Sequence, residues 1–200
     1  MIQQLGHIDI YLLDQIMKNR ILPSMQILDA GCGSGRNAQF FIQNNFNIRG
    51  IDKNEAAIEG IRENALHWNP QYDLSKFSVA DLQKIPFPNT HFDFIICSAV
   101  LHFAENRSHF LKMMEEMIRV LRPGGILWFR MTTKHTLVQH ARHLYDDVYE
   151  LPDGSTRYLL DLEVLKSIME KYQLQFLDPF KTVNVADLRS MATVVLVKEK

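Results

Sequence analysis

The stretch Ile27-Leu28-Asp29-Ala30-Gly31-Cys32-Gly33-Ser34-Gly35-Arg36 constrains this chain more than any other. An apolar run that ends in an acid is followed at once by three alternate glycines. Continuous apolar character suits a strand buried on both faces in the middle of a parallel sheet. Glycines directly after it let the chain turn tightly and bring backbone N–H groups against a ligand, at the start of the next helix. Strand, glycine loop and helix in that order mark the first unit of an α/β fold with a nucleotide-like cofactor.

The remaining pattern continues the alternation. Ile8, Leu12, Leu13 and Ile16 recur at near-helical intervals over 8–20, an amphipathic leading helix stopped by Pro23. Ala38, Phe41 and Ile42 give a helical face after the loop, and Asn44-Asn45 ends it. A second strand over 46–51 ends in Asp52, twenty-one positions after Gly31, where such folds carry a ribose-binding acid. Asn54 caps a helix reaching Trp68; short strands follow over 77–80, before Asp81-Leu82, and over 92–98. Phe110, Leu111, Met114, Met117, Ile118 and Leu121 line one side of a helix that Arg122-Pro123-Gly124-Gly125 breaks before a strand over 126–131. Asp161 caps a last helix, and strands over 174–180 and 191–197 close the chain as an antiparallel hairpin. The expected fold is α/β: a doubly wound, mostly parallel seven-stranded sheet with an antiparallel last strand and helices on both faces.

With 200 residues, 46% hydrophobic, one domain over 1–200 is expected, with residues 1–22 as a lid helix. Residues 132–160 exceed an ordinary connection and are too aromatic for a flexible linker, so they read as a substrate-side insertion and part of the lid. A formal charge of -1 gives no field that favours a polyanion, so a small-molecule acceptor is expected rather than nucleic acid. No early Lys or Arg precedes Asp9 and Asp14, and the apolar run over 94–104 is too short for a bilayer, so neither a leader nor a membrane partner is expected. Cys32 and Cys97 make no disulfide framework and no metal spacing, which fits a reducing cytoplasm. A monomer or a homodimer is expected.

Charge selects the cofactor. Asp29, directly before the glycines, would repel a pyrophosphate but would neutralise the ammonium of an aminocarboxylate whose carboxylate accepts loop N–H bonds. S-adenosylmethionine carries that group and no phosphate. The spacing G-x-G-x-G also departs from the dinucleotide fingerprint, whose third glycine comes one position later. Asp52 then accepts from both ribose hydroxyls, Asp81 from the adenine amine, and Leu82 packs on the ring.

These segments closely resemble the class I S-adenosylmethionine-dependent methyltransferases. Asp29 to Gly35 resembles the family's first motif, Asp52 its second, Asp81-Leu82 its third, Phe92-Asp93-Phe94-Ile95-Ile96-Cys97-Ser98 its fourth, and Leu121-Arg122-Pro123-Gly124-Gly125 its post-helix motif. The resemblance covers 25–131 and implies the seven-stranded sheet already expected. Gly35-Arg36-Asn37, Asp52-Lys53-Asn54 and Leu188-Arg189-Ser190-Met191-Ala192-Thr193 are similar to segments of tellurite-resistance-type methyltransferases, which would imply an oxyanion or chalcogen acceptor. A non-catalytic S-adenosylmethionine-binding module is the alternative from a different class.

The expected cofactor set is Tyr11, Asp29, Gly31, Cys32, Gly33, Gly35, Arg36, Asp52, Lys53, Asp81, Leu82, Ser98 and Ala99, with S-adenosylhomocysteine as product. Phe103, Arg130, His143, Tyr145 and Arg189 are the substrate candidates, against the plainer readings of core aromatics and solvated arginines. Methyl transfer needs a base only if the acceptor must lose a proton, and His102, His135 and His143 are the candidates. His102 reads equally as a packing histidine. His135, His140 and His143 lack a Cys or acid that would complete a ligand pattern, so no metal is expected.

Overall fold

The computed structural model describes residues 5–135 and 141–200. Its centre is β1 (Gln26–Ala30), paired in parallel with β2 (Asn47–Asp52) on one side and β4 (Phe92–Ser98) on the other. β3 (Phe77–Val79) extends the sheet beyond β2, and β5 (Leu121–Thr132) pairs in parallel with β4. The last strand, β11 (Arg189–Lys198), runs antiparallel between β5 and β10 (Lys181–Val185), giving the order β10-β11-β5-β4-β1-β2-β3. This is the doubly wound sheet the alternation predicts.

One boundary differs from expectation. Residues 174–180 are not one continuous strand: β9 (Leu174–Phe176) pairs antiparallel with one end of β11 as expected, and β10 pairs with the other, the two separated by Leu177-Asp178-Pro179-Phe180. Pro179 has no N–H for the ladder, which an edge strand tolerates by breaking there. The sheet therefore counts eight strands where seven were expected, two of them collinear pieces of one edge.

Alternation along the buried strands sends side chains into two cores. Leu28, Ile95, Leu127 and Phe129 face α4 (Arg107–Val120) and α5 (Leu162–Tyr172), while Ile27, Phe94, Ile96 and Trp128 face α1 (Ile10–Met17), α2 (Ala38–Gln43) and α3 (Glu55–Trp68). Helix α4 buries Phe110, Met114, Met117 and Ile118 at the spacing read from the sequence. Asn54 and Asp161 cap α3 and α5 as expected, accepting from Ala56 N–H and Glu163 N–H. The Arg122-to-Gly125 break loops out of the ladder: Phe92 pairs with Leu121, and Phe94 with Ile126.

Helix α1 is fastened at both ends. Its N-cap, the buried Asp9, accepts from Arg130 Nη1 at 2.8 Å. Near its other end Asp178 accepts from Gln15 at 2.9 Å and pairs with Lys18 at 3.1 Å and Arg20 at 2.8 Å. Burial alone would raise the Asp178 pKa, but these donors hold it at about 2.

The segment after β5 folds into a three-stranded antiparallel sheet, β6 (Arg142–Tyr145), β7 (Val148–Glu150) and β8 (Thr156–Tyr158). Its root is Asp147, 1% exposed, which takes Arg107 Nε at 2.7 Å, Lys134 Nζ at 2.5 Å and the Tyr158 hydroxyl at 3.2 Å. Tyr158 in turn stacks on Phe110 of α4, centroids 4.8 Å apart. Burial would raise the Asp147 pKa, yet the hydrogen bonds from Arg107 and Lys134 outweigh it and hold the pKa below the usual carboxylate value.

Asp147→Asn is expected to destabilise the protein by about 2–3 kcal/mol, below the loss for a wholly buried pair because Arg107 is half exposed. Since the native pKa is lowered, the carboxylate stabilises above the ordinary range and loses that effect as pH falls through its native value. Thermal unfolding should show the wild-type–variant gap closing in acid; a Tm unchanged by the substitution at neutral pH would disprove the anchoring role.

Candidate active site

The carboxyl ends of β1, β2 and β4 open on a cavity of 580 Å³. Gly31, Gly33, Asp52, Lys53, Asp81, Leu82, Ser98, Ala99 and Phe103, all anticipated from sequence, line it. Val100, His109 and Met113 line it too and were not anticipated as site residues. Met113 belongs to the apolar face of α4 and nothing in the sequence separates it from core. His109 sits in the first turn of the same helix, and its place beside the sheet ends is a consequence of packing.

The loop is welded to β2. Gly31 and Cys32 N–H both donate to Ile51 O, at 2.8 and 3.0 Å, and Gly33 N–H donates to Asp52 Oδ2 at 2.9 Å. Asp52 Oδ1 accepts from Asn54 N–H at 2.9 Å. A side chain at Gly31, φ +80, would stand 2.4 Å from Val100 Cγ2, and one at Gly35 would stand 2.8 Å from Ile61. Gly33, at φ +54, instead has nothing within 4 Å of where a Cβ would stand, so its backbone is open to the cavity. Across the gap, Ala99 holds φ +59, a conformation that costs a non-glycine residue strain and clusters at binding sites.

Asp29 is 2% exposed, and its Oδ2 is buried with no hydrogen-bond partner. Burial pushes its pKa up to about 7, with Asp52 adding to the rise and Arg36 opposing it. An unpaired buried carboxylate oxygen beside open loop backbone fits a ligand that carries an ammonium next to a carboxylate.

Other anticipated residues lie elsewhere. Cys32 is buried, its thiol pKa raised by burial, and Arg36 reaches Ser98 Oγ at 3.1 Å. Tyr11 lies under Arg130, whose guanidinium is 5.0 Å from the ring centroid, and neither lines the cavity. Arg130 is thus neutralised by Asp9 rather than presented to a substrate. Arg189 lies 3.6 Å from Asp153. Tyr145 is exposed on the small sheet, and His143 Nε2 contacts Asp146 O at 2.7 Å. The exposed His135 packs its ring edge toward Phe180; His140 lies outside the described residues. His102, 7% exposed, follows β4 with Nδ1 unpartnered. Burial, aided by Arg157 and Arg189, lowers its pKa to about 4, so it stays neutral and weakly basic near neutral pH. None of the three candidate bases lines the cavity. The histidine that does, His109, accepts Glu105 N–H at Nδ1, which leaves Nε2 as a donor in the neutral ring.

Residues 28–129 match the family model for the methyltransferase domain. The chain belongs to the class I S-adenosylmethionine-dependent methyltransferases. The cofactor is therefore S-adenosylmethionine, in accord with the open Asp29 oxygen. A malonyl-[acyl-carrier protein] O-methyltransferase of Serratia marcescens is 23% identical over 172 residues, covering 84% of this chain and 61% of that protein. A tRNA (carboxymethyluridine(34)-5-O)-methyltransferase of Saccharomyces cerevisiae is 32% identical over 114 residues, 57% of this chain and 37% of that protein. The chain spans between 26% and 61% of the length of the first curated relatives it matches. Among solved structures, an S-adenosylmethionine-dependent methyltransferase of Methanosarcina mazei superposes with a TM-score of 0.72 at 19% identity, covering 92% of this chain and 97% of the other. The magnesium protoporphyrin IX methyltransferase of Synechocystis PCC 6803 with bound S-adenosylhomocysteine gives 0.73 at 15% identity, covering 94% and 81%. These likenesses do not show the tellurite-type relationship.

If Asp29 meets the cofactor ammonium, its protonation removes the charge that would hold it. Calorimetric affinity for S-adenosylmethionine is expected to fall as pH drops through about 7, and Asp29→Asn should weaken binding and flatten that step. A wild-type affinity constant from pH 6 to 8 would contradict it.

Proposed function

We propose that this methyltransferase transfers a methyl group to a small-molecule acceptor entering beside Phe103. The observation that carries the reading is the unpartnered Asp29 oxygen, buried at the end of β1 two residues before Gly31, which with Gly33 lines the cavity. Asp29 would take the cofactor ammonium, and the Gly33 N–H, once released by Asp52, would take the cofactor carboxylate. Asp52 would exchange its bonds to Gly33 and Asn54 for the ribose hydroxyls, while Asp81 and Leu82 would hold the adenine. When bound, S-adenosylmethionine supplies an electrophilic methyl on a sulfonium whose positive charge disappears on transfer.

The chain's own task is then alignment and exclusion of water. Val100, Phe103 and Met113 supply apolar wall, and the strained Ala99 fixes the backbone between the two halves of the site. Helix α1, tied by Asp9 and Asp178, and the sheet β6–β8, tied by Asp147, would form the substrate-side cover. With His102 held neutral and weakly basic, an acceptor atom that reacts without giving a proton to the chain fits best. Relatives named for acyl-carrier-protein, tRNA and sterol acceptors share the domain, so the acceptor class rests on the near-neutral charge.

Release of S-adenosylhomocysteine should occur with members of a metabolite panel and not with bulk tRNA; methylation of tRNA alone would overturn the small-molecule reading. Asp52→Ala is expected to weaken cofactor binding by roughly 2 kcal/mol through loss of a charge-assisted bidentate contact. Unchanged affinity would show that the ribose is held elsewhere.

A further inference from the structure

We propose that the acceptor is an organic anion, a carboxylate or a phosphate monoester, whose charged group is held by Arg157 and Arg189 at the Phe103 edge of the cavity. This deepens the methyltransferase reading above and rests on it.

Phe103 lines the cavity and stays 55% exposed, so its ring faces both the site and solvent. Its ring carries the Arg157 guanidinium, Cζ 4.8 Å from the centroid. Stacking of this kind fixes the plane of the guanidinium and leaves its charge and most of its donors free. Arg157 Nη1 donates to Thr156 O at 2.7 Å, a neutral acceptor, and among the described residues no carboxylate stands at ion-pair distance from it. Arg107, Arg119, Arg122 and Arg130, by contrast, each meet an acid at 2.6–2.8 Å.

Arg189 arrives from an element remote in sequence, the first position of β11. Its acid, Asp153, is 3.6 Å away, past hydrogen-bond length, and Asp153 Oδ1 is already engaged by Ser155 N–H at 2.9 Å and Ser155 Oγ at 2.5 Å. Arg189 thus faces Asp153 Oδ2, the oxygen that Ser155 leaves free, at longer than hydrogen-bond range. Both arginines exert their field on His102, the residue before Phe103, and both on Asp153, which places them in one electrostatic neighbourhood. His102 packs 4.5 Å from the Phe103 ring and adds no competing positive charge.

The small sheet β6–β8 and the first residue of β11 therefore bring two guanidinium groups, with Asp153 as their only nearby acid among the described residues, to the neighbourhood of Phe103 at the cavity edge. Two planar guanidinium forks match the oxygens of a carboxylate or phosphate.

The test uses the full chain and matched triplets of one carbon skeleton: the carboxylic acid, the phosphate monoester and the primary amide, read by S-adenosylhomocysteine release. Turnover is expected for an anion and not for its amide, and which anion works identifies the source. Arg157→Gln and Arg189→Gln should each raise KM for that anion by about ten-fold, leaving kcat and the calorimetric Kd for S-adenosylhomocysteine near wild type. Asp153→Asn keeps an acceptor for Ser155 while releasing Arg189, and should lower KM about three-fold, a change that a structural role for the arginines would not produce. Equal turnover of amide and acid, no turnover of any anion, or unchanged KM in both arginine variants overturns the proposal. Failure of the wild-type chain to bind S-adenosylhomocysteine would instead sink the methyltransferase reading beneath it.

Discussion

Parallel pairing of β1 between β2 and β4 is the constraint on which the site depends. It brings three strand ends to one edge and sets Asp29 against Gly50 and Ile96 in the ladder. The next two N–H groups of the loop then fall on Ile51 O, so the glycine turn is continuous with the end of β2. Asp52 closes the arrangement through Gly33. The result is a buried carboxylate with one oxygen unmatched, which the unliganded fold holds at a cost that rises with pH: its native pKa lies above the ordinary carboxylate value, so stability present below about 4 is lost as pH rises through about 7.

Four buried aspartates show how that cost differs from structural use of the same side chain. Asp9, Asp147 and Asp178 each meet at least one cation at 2.8 Å or closer, and each ties a peripheral element to the sheet or its helices. Asp29 alone of the four keeps an unpartnered buried oxygen, at the mouth of the glycine loop. Satisfied carboxylates hold α1 and the small sheet in place; the unsatisfied one is the carboxylate proposed to meet the cofactor ammonium. The same contrast separates the arginines. Arg130 looked available from its place at the end of β5 and is consumed by Asp9, while Arg157 donates only to a carbonyl and Arg189 meets Asp153 at 3.6 Å.

Local chemistry made much of this legible. Strand 92–98 and the caps Asn54 and Asp161 are read from short-range rules, continuous apolar runs and side-chain acceptors placed two residues before an N–H, and the structure reproduces them. The edge at 174–180 misled because its apolar pattern continues across Pro179, whose effect on pairing depends on a neighbouring strand. Residues 132–160 showed only that they were too long and too aromatic for a linker. Their fold follows from Asp147 meeting Arg107 and Lys134, forty and thirteen positions away in the chain, and no window of sequence contains that contact.

The sequence by itself determined the alternating order of strands and helices, the glycine loop, and the acids that follow successive strands, because each depends on neighbours a few residues apart and parallel topology then gathers them automatically. Through Asp29 and the absence of a dinucleotide spacing it also determined the cofactor. Tertiary structure alone decided which of those acids stays unpaired, that His109 rather than His135 or His143 reaches the cavity, and that Arg157 lies on Phe103. The physical reason is that pairing, burial and field depend on distances between residues far apart in the chain, whereas periodicity reports only which side of an element a residue occupies.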